Sequence, residues 1–221
     1  MPFVPDRNEL SGTRMGVWQI AEPEGFFRAG LSKWPALLRQ CDEVGKSQRR
    51  LELLASRYLI SLLLPDLKEV DLGFSEKGRP FISDGDVFVS ISHTTGYAAA
   101  VVAEKAVGID IQKPDNRIER LAVKFSGKEE MSEWSELASK AEACHWIWSA
   151  KEAVFKAYGR GGVDFRGQIK VSPGPDLGKG SGRAVLRNSE VRAEYDLWYR
   201  TIEQNFCVLA VERSFVEEKS N

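Results

Sequence analysis

The sequence predicts an α+β protein made of two pseudo-symmetric halves, each an antiparallel sheet packed by a helix. Two observations carry that expectation. Elements follow in the order strand, helix, strands, and then helices, strands, so each half holds one sheet and its own helices. Composition agrees: of 221 residues, 43% are apolar and 29% charged, enough core for one large domain or two small ones packed together. No residue-level repeat links the halves, and the boundary is placed between 1–106 and 107–221.

Residues 1–15 are polar and read as a loose lead-in, and Val17-Trp18-Gln19-Ile20 reads as the first strand. From Ser47 to Leu64 the residues Leu51, Leu54, Ala55, Tyr58, Leu59 and Leu62 recur at three-and-four spacing, predicting a helix that Pro65 ends. Val87–Ser92 and Tyr97–Ala103 read as buried strands joined by the polar link His93-Thr94-Thr95-Gly96, and Val107–Ile111 as a third, broken by Pro114-Asp115-Asn116. Ser126 with Glu129, and Ser139 with Glu142, have the spacing of capping boxes. The helix from Lys140 ends at Gly159, a residue suited to a left-handed cap. Residues 159–182 hold eight of the nineteen glycines and read mostly as loop, with one short strand at Ile169-Lys170-Val171. Ala184–Leu186, Tyr195–Tyr199 and Phe206–Val211 read as a closing antiparallel meander, and Glu217-Glu218-Lys219 as a solvated tail.

Bulk properties narrow the function. A net charge of −1 supplies no general attraction for nucleic acid, so phosphate binding must rest on local cations. The three cysteines, Cys41, Cys144 and Cys207, are far apart and lack metal-ligand spacing, which predicts reduced thiols in a cytoplasmic chain. No leader peptide is visible, and the longest apolar run, Tyr58–Leu64, is too short to span a bilayer. Gly174–Lys179 lacks the spacing and the Ser or Thr of a phosphate loop. The two histidines, His93 and His145, give no zinc spacing, and the six tryptophans read as core. His145, beside Trp146, reads as packed or exposed rather than catalytic.

Two stretches carry chemistry. In Val107-Gly108-Ile109-Asp110-Ile111-Gln112 an acid ends an apolar strand, a costly place for a charge unless it is paired or holds a metal. Asp110 and Gln112 are two apart and point the same way on a strand, so both can reach one ion; the plainer reading is a strand end that caps a turn. In Trp148-Ser149-Ala150-Lys151-Glu152-Ala153-Val154-Phe155-Lys156, Glu152 and Lys156 share a helix face. An exposed ion pair is the ordinary reading of that spacing, but the apolar flanks predict a buried helix whose charges need a counter-ion or a ligand.

Together the two stretches resemble the signature motifs of the 4′-phosphopantetheinyl transferases. Gly78-Arg79-Pro80-Phe81 resembles that family's Gly-Lys-Pro segment, Val89-Ser90-Ile91-Ser92-His93 its Asn-Ile-Ser-His segment, and Phe125-Ser126-Gly127-Lys128-Glu129-Glu130 its Phe-Ser-x-x-Glu segment. The likeness runs from Gly78 to Tyr158, and the chain length is similar to the monomeric two-halved type rather than the shorter trimeric synthases. The resemblance implies an active site in a cleft between the halves, with coenzyme A as co-substrate and Mg2+ as cofactor. It implies Asp110 and Glu152 as metal ligands, with Gln112 standing where many relatives carry a third acid. It implies Lys156 on the coenzyme's phosphates, Ser92 and His93 near the 3′-phosphate or diphosphate, Arg79 on a phosphate, and Arg50 or its neighbour Arg49 on the adenosine 3′-phosphate.

The implied reaction moves the phosphopantetheine arm to a serine of an apo acyl or peptidyl carrier protein. Glu152 is the candidate base, directly or through a metal-bound water, and Lys151 is a second candidate if its pKa is depressed. The first half would take the adenosine and phosphates, and the second the metal and the catalytic helix. No nucleic acid and no membrane is expected as partner. A non-catalytic coenzyme A-binding scaffold, and a structural domain whose Asp110 and Glu152 merely pair with lysines, stand as the alternatives.

Overall fold

The structure, a computed structural model, describes residues 12–66, 68, 72–75, 79–83, 87–174 and 179–218. It is α+β, and the chain divides into two compact units, Met1–Lys105 and Ala106–Asn221.

The first unit contains β1 (Thr13–Gln19), α1 (Glu24–Gly30), α2 (Pro35–Asp42), α3 (Ser47–Leu63), β2 (Leu72–Phe74), β3 (Pro80–Ile82), β4 (Phe88–Thr94) and β5 (Tyr97–Ala103). β5 lies between β1 and β4 in an antiparallel sheet, while β2 and β3 pair separately. Leu54, Ala55, Leu59 and Ile60 of α3 share a core with Val89 of β4 and with Ala98, Ala100 and Val102 of β5. The row of alanines keeps that face of β5 low, so helix and sheet lie close. Leu62, predicted on the buried face, is exposed, and Ile60 is buried instead.

Residues 13–15 belong to β1 rather than to a lead-in, since they pair with Val101–Ala103 of β5; residues 1–11 lie outside the described residues. The predicted four-residue link between β4 and β5 contracts to Thr95-Gly96, because His93 and Thr94 stay paired with Ala98 and Tyr97. Gly96, at φ 82°, supplies the left-handed residue of this tight turn.

The second unit contains β6 (Val107–Gln112), α4 (Ile118–Leu121), α5 (Lys128–Ser135), α6 (Lys140–Tyr158), α7 (Phe165–Gln168), β7 (Ile169–Ser172), β8 (Lys179–Arg187), β9 (Val191–Ile202) and β10 (Asn205–Glu217). Its sheet is antiparallel in the order β6-β10-β9-β8-β7. The predicted meander is therefore β8 to β10, extended at both ends, and the supposed tail residue Glu217 still pairs with Val191. Long α6 crosses β6 and β10 and buries Ala143, Ile147, Ala150, Ala153, Val154 and Ala157.

Both ends of α6 are built as the sequence predicts. Ser139 and Glu142 form a capping box, and Gly159 closes the helix at φ 70°. The other expected box does not form. Gly127 is the N-cap of α5, without a side-chain cap, and the Ser126 hydroxyl turns to donate to the Gly127 carbonyl.

Candidate active site

α6 and β6 run side by side because β6 carries no side chain at Gly108. A Cβ there would lie 1.9 Å from the Ala153 carbonyl oxygen and 2.6 Å from the Ala157 nitrogen. Strand alternation puts Gly108, Asp110 and Gln112 on the same face of β6, so the contact that excludes a Cβ at one position aims a carboxylate at α6 from the next.

The Asp110 side chain is 10% exposed, and its Oδ1 accepts a hydrogen bond from Lys156 Nζ at 2.8 Å. The same ammonium donates to the Ile109 carbonyl at 2.8 Å. Glu152 stands one turn before Lys156 and is partly buried. Burial, and next the Asp110 charge, push the Glu152 carboxyl above the ordinary carboxylate range, while Lys156 pulls it back. Asp110, Glu152 and Lys156 thus form one electrostatic group within the second unit. Gln112 is tied to α6, its Nε2 donating to the His145 carbonyl at 3.1 Å and its Oε1 taking no part in that bond.

Among the described residues no group of three or more His, Cys, Asp or Glu is arranged to hold a metal. What α6 and β6 offer is two carboxylates and an amide oxygen. That set fits Mg2+, which favours one or two carboxylates and keeps its remaining positions for water and phosphate oxygens.

Lys151 is not a base in waiting. Its side chain is 0% exposed, and Nζ meets Glu130 Oε2 at 2.8 Å, the Phe165 carbonyl at 2.8 Å and the Ile169 carbonyl at 2.6 Å. Burial lowers its pKa, but Glu130 opposes the shift and all three ammonium protons have acceptors. Glu130 Oε1 in turn accepts from the Val171 N–H at 2.9 Å, so the pair ties α5, α6 and β7 together. Of the two adjacent acids in the Phe125–Glu130 segment, Glu130 is the buried one, and Glu129 is exposed beside Lys170. The helical spacing of Glu130 and Trp134, the two buried residues of α5, is the signal that distinguishes them.

Beside Glu152 on α6, Trp148 and Phe155 both pack against Phe165, with centroids 5.6 and 5.5 Å apart. Phe125 also packs on Trp148. Neither phenylalanine was singled out as a neighbour of α6, because nothing local ties them to the helix. Of the two placements expected for His145, packed or exposed, the structure has it packed: it stacks on Phe206 at 4.6 Å, and its Nε2 accepts from the Asp115 N–H at 3.1 Å.

The other predicted residues lie in the first unit. His93 Nδ1 is 2.7 Å from Arg49 Nη1 and 3.1 Å from Glu52 Oε2. Arg49, not Arg50, is therefore the arginine beside His93. Arg50 Nε donates to both Glu24 oxygens, at 3.2 and 3.0 Å, and its Nη1 to the Val44 carbonyl at 2.9 Å, so it braces α1 and α3. Ser92 is buried and adjacent to His93 on β4, so the two side chains leave opposite faces of the strand. The Arg79 N–H donates to Ser75 Oγ at 3.1 Å, and its carbonyl accepts from the Ser75 N–H at 2.9 Å. Gly78 lies outside the described residues.

The same division appears in comparisons with known proteins. A model of the 4′-phosphopantetheinyl transferase superfamily matches residues 106–196, and a model of the 4′-phosphopantetheinyl transferase N-terminal domain matches residues 43–103. The chain is 29% identical over 112 residues to the 4′-phosphopantetheinyl transferase gsp of Aneurinibacillus migulanus, covering 50% of this chain and 47% of that protein. It is 30% identical over 152 residues to a 4′-phosphopantetheinyl transferase of Bacillus subtilis, covering 62% of this chain and 66% of the relative. The matched stretch thus spans about half of the first relative and just under two thirds of the second. With both of its units matched in order, and with the acid and lysine positions of the motifs brought together on α6 and β6, this chain belongs to the 4′-phosphopantetheinyl transferase superfamily.

Proposed function

We propose that the protein transfers the 4′-phosphopantetheine arm of coenzyme A to a serine of an apo acyl or peptidyl carrier protein. The observation that supports this most directly is the Asp110–Lys156 contact beside a Glu152 carboxyl of raised pKa, within a chain of this superfamily. In the reaction the serine oxygen bonds to the β-phosphorus of coenzyme A. The bond from that phosphorus to the bridging oxygen breaks, adenosine 3′,5′-bisphosphate leaves, and the serine proton is taken up by a base.

Glu152 is the base in this reading, since a carboxylate pushed toward neutrality by burial and a neighbouring charge holds a proton better. Lys156 moves from Asp110 to donate to phosphate oxygens as charge develops on them. Arg79, His93 and Ser92 are the phosphate ligands of the first unit, joined by Arg49 in place of Arg50. Asp110, Glu152 and the amide oxygen of Gln112 are the residues that would hold Mg2+, which would supply neutralisation of the diphosphate charge. No covalent enzyme intermediate is required. The reading includes a monomer acting in the cytoplasm; among the described residues no helix is long and apolar enough to cross a membrane.

The test is the mass of an apo carrier incubated with the protein, Mg2+ and coenzyme A. Gain of the phosphopantetheine mass is expected, with loss of that gain in Glu152→Gln while circular dichroism is unchanged. Full transfer by Glu152→Gln would remove the site assignment. Gln112, where many relatives carry an acid, keeps one further reading in play: a coenzyme A-binding scaffold, which coenzyme A would protect from heat without any carrier gaining mass.

A further inference from the structure

We infer that Glu52 is a positioning residue for His93, holding its imidazole as a cation so that the Nε2–H can be presented to a phosphate group. The inference rests on the reading of His93 as a phosphate ligand, and it begins from a buried charge. Glu52 lies in the second turn of α3 and is 7% exposed, which is costly for a carboxylate unless its oxygens are engaged. Oε1 accepts from Gln48 Nε2 at 2.9 Å, and Oε2 is 3.1 Å from His93 Nδ1.

The same ring nitrogen is 2.7 Å from Arg49 Nη1, and Arg49 is 4.0 Å from Glu52 Oε2. These contacts to Nδ1 need different proton states. A guanidinium only donates, so the Arg49 contact requires a lone pair on Nδ1; a carboxylate only accepts, so the Glu52 contact requires a proton there. One imidazole satisfies one of them at a time.

A phosphate arriving at His93 resolves the conflict. The Arg49 side chain is 46% exposed and free to turn toward the new anion, whereas Glu52 is fixed by burial and by Gln48. With Arg49 on the phosphate, Nδ1 takes a proton and donates it to Glu52, and Nε2–H points to the ligand. The proton comes from solvent, and the imidazolium is then flanked by an anion at each nitrogen. Glu52 thus turns a histidine that is neutral at its ordinary pKa into a charged phosphate clamp. Among the described residues, Arg49 and Glu52, both from α3, are charged groups that meet Nδ1.

Nuclear magnetic resonance titration of the His93 imidazole and calorimetric binding of adenosine 3′,5′-bisphosphate test this. In the free protein, Glu52→Gln, which keeps the shape and the Gln48 contact, lowers the His93 midpoint by about one pH unit or more. Glu52→Asp, which keeps the charge, falls between the two. At neutral pH Glu52→Gln weakens the bisphosphate about tenfold, and it has no such effect in a His93→Ala background. An unchanged His93 titration, or equal weakening with and without the imidazole, would overturn the inference. Failure of the unmutated protein to bind the bisphosphate would remove the phosphate reading of His93, and the free-protein titration would still rule on Glu52.

Discussion

Replacing Lys151 with Met probes how strongly the buried ion pair holds the second unit. The substitution conserves most of the side-chain volume, so little cavity forms, and the cost is electrostatic. It leaves Glu130 as a buried carboxylate whose remaining partner among the described residues is the Val171 N–H, and it removes the donor to the Phe165 and Ile169 carbonyls. Breaking one partner of such a pair costs about 3–5 kcal/mol, a large part of the ~5–15 kcal/mol that holds an ordinary domain folded. Urea unfolding, followed by tryptophan fluorescence and far-ultraviolet dichroism, measures the loss; Trp134 reports locally, since its Nε1 donates to the Val171 carbonyl. If the units unfold in separate steps, the loss belongs to the step that Trp134 senses. Adding Glu130→Gln to Lys151→Met restores about 1–2 kcal/mol, because the unpaired charge is gone. A loss below about 1 kcal/mol, or strict additivity in the double variant, would refute the argument.

Gly108→Ala is expected to destabilise the second unit by about 1–3 kcal/mol or more, since its Cβ meets the backbone of α6 rather than a side chain able to turn away; a melting temperature equal to that of the unmutated protein would contradict this. His145 sets a pH dependence. Burial lowers its pKa below the ordinary 6.5, so as pH falls through 6.5 the unfolded chain takes up a proton that the folded chain refuses. Stability from this group is complete above 6.5 and declines as pH drops toward the folded-state value. His145→Phe removes that component, and the stability-versus-pH slope between neutral and mildly acidic pH becomes shallower; an unchanged slope would count against a buried neutral imidazole.

Local rules read the long helices well. The apolar spacing and Pro65 placed α3 to within a residue of its end at Leu63, and the Ser139 box with Gly159 bracketed α6, because these signals act within one or two turns. α1 and α2 went unread. Their N-caps, Pro23 and Trp34, make no side-chain cap, and they are short helices that owe their place to packing on α3. Ser126 looked like a cap, but the chain turned its hydroxyl elsewhere and left Gly127 to begin α5.

What the sequence determined by itself was which residues are candidates to meet phosphate and metal: an acid after Gly108-Ile109 and a Glu-x-x-x-Lys on a helix, a pattern carried by side chains spaced along one element. The tertiary structure decided what each charge is for. Lys151 and Lys156 are alike in the sequence, five positions apart on one helix, yet one is sealed against Glu130 and the other lies on Asp110 at the edge of solvent. Arg49 and Arg50 are neighbours, and the turn of α3 sends one to His93 and the other to Glu24. Burial and counter-charge arise from elements that meet only after folding, so a linear pattern names the candidate charges and packing selects among them.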